Sequence, residues 1–148
     1  MSQDDHREWT RCLALATGQP LWEVSRPHEF ERPLSGPGPR ATPALSGQDL
    51  VTLGADGVLE CQGQADGSLR WKRAMLDDAA AENTMHGAVA SPPIVDQSVI
   101  VTAGGSLGAV TAYSLATGET QWRALSPRLG PPHLEHALPG GTLAVAPQ

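Results

Sequence analysis

Three stretches of the sequence carry the same phrase. Ala112-Tyr113-Ser114-Leu115-Ala116-Thr117-Gly118-Glu119-Thr120-Gln121-Trp122 is one copy, Cys12 to Trp22 is another, and Cys61 to Trp71 is a more worn third. Each reads as a strand, a tight turn with glycine at its tip, and a second strand carrying a Trp. Glycine enters positive φ without the penalty that a side chain brings. Trp22 and Trp71 are 49 residues apart, and Trp71 and Trp122 are 51. A unit repeated at a fixed interval buries its apolar surface against copies of itself. A period near 50 is longer than helical solenoid repeats and falls among propeller blades.

The intervals between the phrases complete the unit. Pro43 and Pro92 each stand 21 residues after the preceding Trp. Strands are expected at 42–45, 49–53, 58–61 and 69–74, and again at 91–95, 99–102, 109–113 and 120–125, separated by Gly- and Asp-rich turns. Four short strands joined by turns make a propeller blade. The expected fold is therefore all-β: a propeller segment with two complete blades, at about 41–75 and 90–125, flanked by two half-blades.

The remaining segments follow from that frame. Residues 1–8 read as a polar extension, and 9–26 as the last two strands of a blade, with Trp9 outside the phrase and ahead of its strand. Residues 27–40 hold Pro27, Pro33, Pro37 and Pro39 and form a loop. Residues 76–89 connect the two blades, with one helical turn capped by Asp78. A Pro-rich loop at 126–133 leads to a half-blade at 134–148, whose residues 137–145 repeat 44–52. Such a segment leaves strand edges open at both ends, and self-association is expected of it in isolation.

Charge narrows the partners. The net charge is −6 and the ten Lys and Arg residues are scattered. A nucleic-acid surface needs them clustered. Arg70, Lys72 and Arg73 read as a solvated face. Cys12 and Cys61 occupy the same place in neighbouring repeats, too far apart for a disulfide, and read as two separate thiols. The polar start shows no signal peptide, and no apolar run approaches the ~20 residues of a membrane span.

The phrase Ala-x-x-Thr-Gly-x-x-x-Trp resembles the repeat of the pyrroloquinoline-quinone-type β-propellers. That group contains the quinoprotein alcohol dehydrogenases and the outer-membrane-assembly propeller lipoprotein. The resemblance runs from about residue 9 to 146. The segments 38–43 and 53–57 are similar to secreted bacterial repeat proteins of this kind. The resemblance implies that each Trp docks across a blade interface and that the glycine makes the turn presenting it. It assigns these structural roles to Gly18 with Trp22, Gly67 with Trp71, and Gly118 with Trp122. The middle copy departs from the pattern, with Asp66 in place of Thr. Periplasmic or secreted placement is a further implication.

Chemistry is sparse. The quinone enzymes of the group use adjacent cysteines, an aromatic floor and a calcium site, and the sequence shows none of these. No catalytic, cofactor-binding or metal residue is assigned. His133 and His136, with His28 and His86, read as solvated loop histidines, and Asp77, Asp78 and Glu82 as an acidic loop. The Gly104–Gly108 turn lacks the helix and Lys of a phosphate loop. One channel end is the candidate ligand site, with Arg40, Thr42, His86 and Ser91; its guanidinium suits a carboxylate or phosphate, or simply loop carbonyls. Two principal readings stand: a non-catalytic scaffold or ligand-binding module of the cell envelope with protein partners, and a fragment of an oxidoreductase using the quinone with calcium. A sensing propeller joined to a signalling protein is a third.

Overall fold

The computed structural model describes residues 1–4, 6–27, 30, 36 and 38–125. They form three antiparallel sheets in chain order. The first holds β1 (Ser2–Asp4), β2 (Arg7–Leu13) and β3 (Pro20–Pro27). The second holds β4 (Ala44–Ser46), β5 (Asp49–Leu53), β6 (Val58–Gly63) and β7 (Leu69–Ala74). The third holds β8 (Ile94–Val95), β9 (Ser98–Gly105), β10 (Gly108–Ser114) and β11 (Thr120–Ala124). Strands pair with their sequence neighbours throughout, giving the up-and-down order of propeller blades.

The phrase repeats in three dimensions down to its irregularity. Cys12 faces Trp22, Cys61 faces Trp71, and Ala112 faces Trp122, and a bulge follows that pair in every copy. Because side chains alternate across a strand, this register sets which residues meet the next sheet. In the second sheet that face carries Leu59, Cys61 and Trp71. They pack with Val99, Val101, Tyr113 and Leu115 of the third into one apolar core cluster. Each such side chain contributes about 1.5–3 kcal/mol on burial.

Three expectations change. Residues 1–8 are not wholly an extension: Ser2–Asp4 pairs with β2, through Ser2 opposite Trp9 and Asp4 opposite Arg7. Polar contacts hold this strand, which is why no apolar alternation marked it. Arg11 donates to the Ser2 hydroxyl at 2.7 Å and the Trp9 indole donates to Asp4. Trp9 accordingly lies within β2 instead of ahead of it, with the Arg11 guanidinium 5.0 Å from its ring centre.

The helical turn also starts earlier than expected. Helix α1 (Met75–Ala79) has no side-chain cap, and Asp78 lies inside it. Burial of Met75 and Ala79 decides its start, and Asp78 instead accepts the Tyr113 hydroxyl at 3.0 Å. Finally, the glycine-rich segment 104–108 is mostly strand, with its turn confined to residues 106 and 107. Gly105 lies where the Ala79 carbonyl arrives, so a side chain there would collide with the end of α1. Close helix packing, not phosphate binding, requires that glycine. The loop expected at 126–133, the half-blade at 134–148, and His28, His133 and His136 lie outside the described residues.

Candidate functional site between the first and second sheets

The three glycine turns share one geometry. In each, the amide ahead of the turn donates across it: Ala14 to the Gln19 carbonyl, Gly63 to the Ser68 carbonyl and Ser114 to the Glu119 carbonyl, all at 2.8 Å. Gly18, Gly67 and Gly118 have φ of 69°, 72° and 71°. Asp66 replaces Thr without disturbing this, because its carboxylate accepts the Ser68 amide much as Thr17 and Thr117 accept those of Gln19 and Glu119. That amide holds the Asp66 carboxyl below the usual carboxylate range.

Each seated Trp rests on the glycine of the following sheet, not on the glycine of its own phrase. A Cβ at Gly67 would lie 2.8 Å from the Trp22 ring, and one at Gly118 would lie 2.7 Å from the Trp71 ring. The indole N–H groups complete the seat, Trp22 donating to the Gln64 carbonyl at 3.0 Å and Trp71 to the Leu115 carbonyl at 2.7 Å. Gly18 meets nothing within 4 Å, and Trp122 is half-buried.

Behind the Trp22 seat the first and second sheets border an open cavity of about 370 Å³. Charged side chains stand among its apolar walls. Glu8 lies opposite Arg26 across β2 and β3, and their side chains pair at 3.0 Å. The same guanidinium grips Asp56, in the β5–β6 turn, with two prongs of 2.7 and 2.8 Å. Gly54 leaves it room, since a side chain there would occupy the guanidinium's place. Burial alone would lower the Arg26 pKa, but Asp56, then Glu8 and Glu60, outweigh it and leave it raised. Arg26 is therefore a permanent cation binding one sheet to the next.

On the opposite wall, Glu60 accepts the Gln62 amide N–H at 3.2 Å. Its other oxygen stands 3.8 Å from the Lys72 ammonium, whose side chain is 49% exposed. Gln62 is 4% exposed, and its Oε1 has no hydrogen-bond partner among the described residues. Three carboxylates, Glu8, Asp56 and Glu60, thus face two cations, Arg26 and Lys72. None of these was singled out in the sequence except Lys72, as part of a solvated face. The hairpin register supplies the missing signal: once Trp22 is set opposite Cys12, Glu8 must fall opposite Arg26.

The channel-end candidates fall elsewhere. The Ser91 hydroxyl and the Thr42 amide bond at 2.8 Å, so the equivalent positions of two blades do meet. Arg40 donates to the Gly36 carbonyl at 2.7 Å, on its own loop. His86 is exposed. Arg70 pairs with Asp49, while Arg73 donates to the Gly118 carbonyl at 2.7 Å, so the basic alternation is largely engaged. Both cysteines are free, Cys61 buried and Cys12 half-buried. Among the described residues no group of three or more His, Cys, Asp or Glu could hold a metal ion, and no helix is long and apolar enough to cross a membrane.

Residues 6–147 match the family described as outer membrane protein assembly factor BamB. The chain belongs to the BamB family. BamB from Moraxella catarrhalis superposes with a TM-score of 0.58 at 21% identity, over 84% of this chain and 32% of that one. The quinohemoprotein alcohol dehydrogenase from Comamonas testosteroni gives 0.61 at 20%, over 84% and 19%. A europium-containing methanol dehydrogenase gives 0.56 at 17%, over 78% and 21%. The chain thus spans about a third of the BamB structure and about a fifth of each dehydrogenase. At these identities the likeness is one of fold, that of a pyrroloquinoline-quinone-type propeller segment. No curated protein sequence matches the chain.

Proposed function

We propose that this chain is part of a non-catalytic propeller of the bacterial cell envelope that binds other proteins. The observation that carries the reading is the family match over residues 6–147, whose description names an outer-membrane assembly factor. The placement is periplasmic or at the inner face of the outer membrane, as that description implies. Physically, stacked sheets locked by Trp seats make a rigid body suited to presenting a surface, as repeat proteins do. Isolated from further blades, the chain self-associates through the edges of its terminal sheets. A monodisperse monomer that melts cooperatively would contradict that last point.

The runner-up is a fragment of a quinone-dependent oxidoreductase. It draws on the Comamonas testosteroni enzyme, whose TM-score of 0.61 stands beside 0.58 for BamB. Fold alone does not give function. Two measurements separate the readings. In-cell cross-linking followed by mass spectrometry is expected to link the protein to components of outer-membrane protein assembly. Titration with the quinone and calcium is expected to give neither bound-quinone absorbance nor dye reduction. Dye reduction dependent on both would transfer the assignment to the enzyme.

A further inference from the structure

We infer that the cavity between the first and second sheets seats a basic side chain, lysine or arginine, of a partner polypeptide. The inference rests on the protein-binding reading and names the chemistry of one contact within it.

The acceptor set comes first. Gln62 is 4% exposed, yet its Oε1 is unbonded among the described residues, and it lines the cavity. A buried acceptor without a donor is unfavourable, so such an atom marks a place where a donor arrives. Glu60, on the same strand and same face, adds a carboxylate that accepts the Gln62 amide and stands 3.8 Å from Lys72. An ion pair that long, to a half-exposed lysine, is weak and easily exchanged.

Charge then selects the donor. Arg26 is committed to Asp56 by two bonds and to Glu8 by a third. Glu60 is left to the long Lys72 pair, and a cationic donor that reaches it gains charge-assisted hydrogen bonds that a neutral one lacks. The shape agrees. Val24 and Leu69 line the same cavity, and Leu69 is 57% exposed. They offer an apolar path for the methylene stem of Lys or Arg while its head reaches Glu60 and Gln62.

The test uses the chain with N-acetyl-arginine amide as the probe and its neutral citrulline counterpart as the control, followed by calorimetry and side-chain NMR. The arginine probe is expected to bind saturably, to shift the Gln62 side-chain resonances, and to bind more weakly as salt rises. Citrulline is expected to bind at least 10-fold more weakly. Glu60→Gln should weaken the arginine probe at least 10-fold. Lys72→Gln, which removes the competing ammonium from an exposed position, should tighten it several-fold, a gain that a purely structural role would not produce. No saturable binding, equal binding of citrulline, or no tightening in Lys72→Gln would overturn the inference. Cross-links to assembly components that persist while the probe fails to bind would leave the scaffold reading standing and remove only this contact.

Discussion

The two sheet-to-sheet interfaces use the same lock and opposite fillings. In both, a Trp sits on a turn glycine and donates to a carbonyl of the next sheet. Behind Trp71 the space is filled by Leu59, Met75, Tyr113 and other apolar side chains. Behind Trp22 the positions one repeat earlier hold Thr10 in place of Leu59 and Arg26 in place of Met75. On the facing sheets, Glu60 and Gln62 stand where Thr111 and Tyr113 stand one repeat later. The lock therefore fixes how sheets approach, and the residues behind it are free to set chemistry. One interface has become core and the other has become a charged, partly hollow site.

The sharpest way to test that division is to remove the locks one at a time. Trp71→Ala opens a hole in a close-packed core and should lower stability by about 4 kcal/mol in urea denaturation. Trp22→Ala, beside an existing cavity, should lower it by about half as much. Equal losses would mean that the filling contributes nothing and that the lock alone holds the sheets.

Arg26→Met copies the residue of the other interface into the polar one. It leaves Glu8, 3% exposed, and Asp56 without their shared cation. Breaking one partner of a buried ion pair costs about 3–5 kcal/mol, and we expect the low end because Asp56 keeps some solvent. A neutral or stabilising result would show that the first interface tolerates an apolar filling.

Alkaline pH should unsettle the apolar interface through Cys61. Burial, then Asp49, pushes its thiol from 9.0 up to about 11. Below pH 9 both states keep the proton and stability is unaffected. Between 9 and 11 the unfolded chain loses it while the folded chain does not, so stability falls with rising pH. The loss reaches about 3 kcal/mol at most, at roughly 1.4 kcal/mol per pH unit. Cys61→Ala should flatten that slope in a pH series of melting curves, whatever its effect at neutral pH.

The smallest effects grade the turn glycines. Gly118→Ala combines a left-handed backbone with a Cβ 2.7 Å from the Trp71 ring and should cost about 2 kcal/mol. Gly67→Ala should follow closely, against Trp22 and Val24. Gly18→Ala, with nothing within 4 Å, should cost only the backbone term of about 1 kcal/mol. Three equal losses would reduce the glycines to turn-formers with no role as seats.

Much of the fold was legible because the repeat is spelled in rigid words. Trp at constant spacing, glycine at each turn and Pro ahead of each first strand place the strands of both full blades to within three residues. What escaped notice was decided across the chain. Ser2–Asp4 carries no apolar alternation, since its bonds are to Arg11 and Trp9. Helix α1 begins where Met75 finds the core, not where Asp78 offers a cap. The charged cavity depends on Glu8, Arg26 and Asp56 coming together from two sheets, over sequence separations of 18 and 30 residues. Periodicity marks faces of strands, but it does not say which face will be left incompletely filled.

The Trp seat has a direction. In the first and second sheets the outer strand is held down by the sheet that follows, as a roof tile is held by the one lapped over it. β3 is covered by the second sheet and β7 by the third. The blades should therefore come away in sequence from the downstream side, and amide exchange should be slowest in the strands that lie beneath a seated Trp.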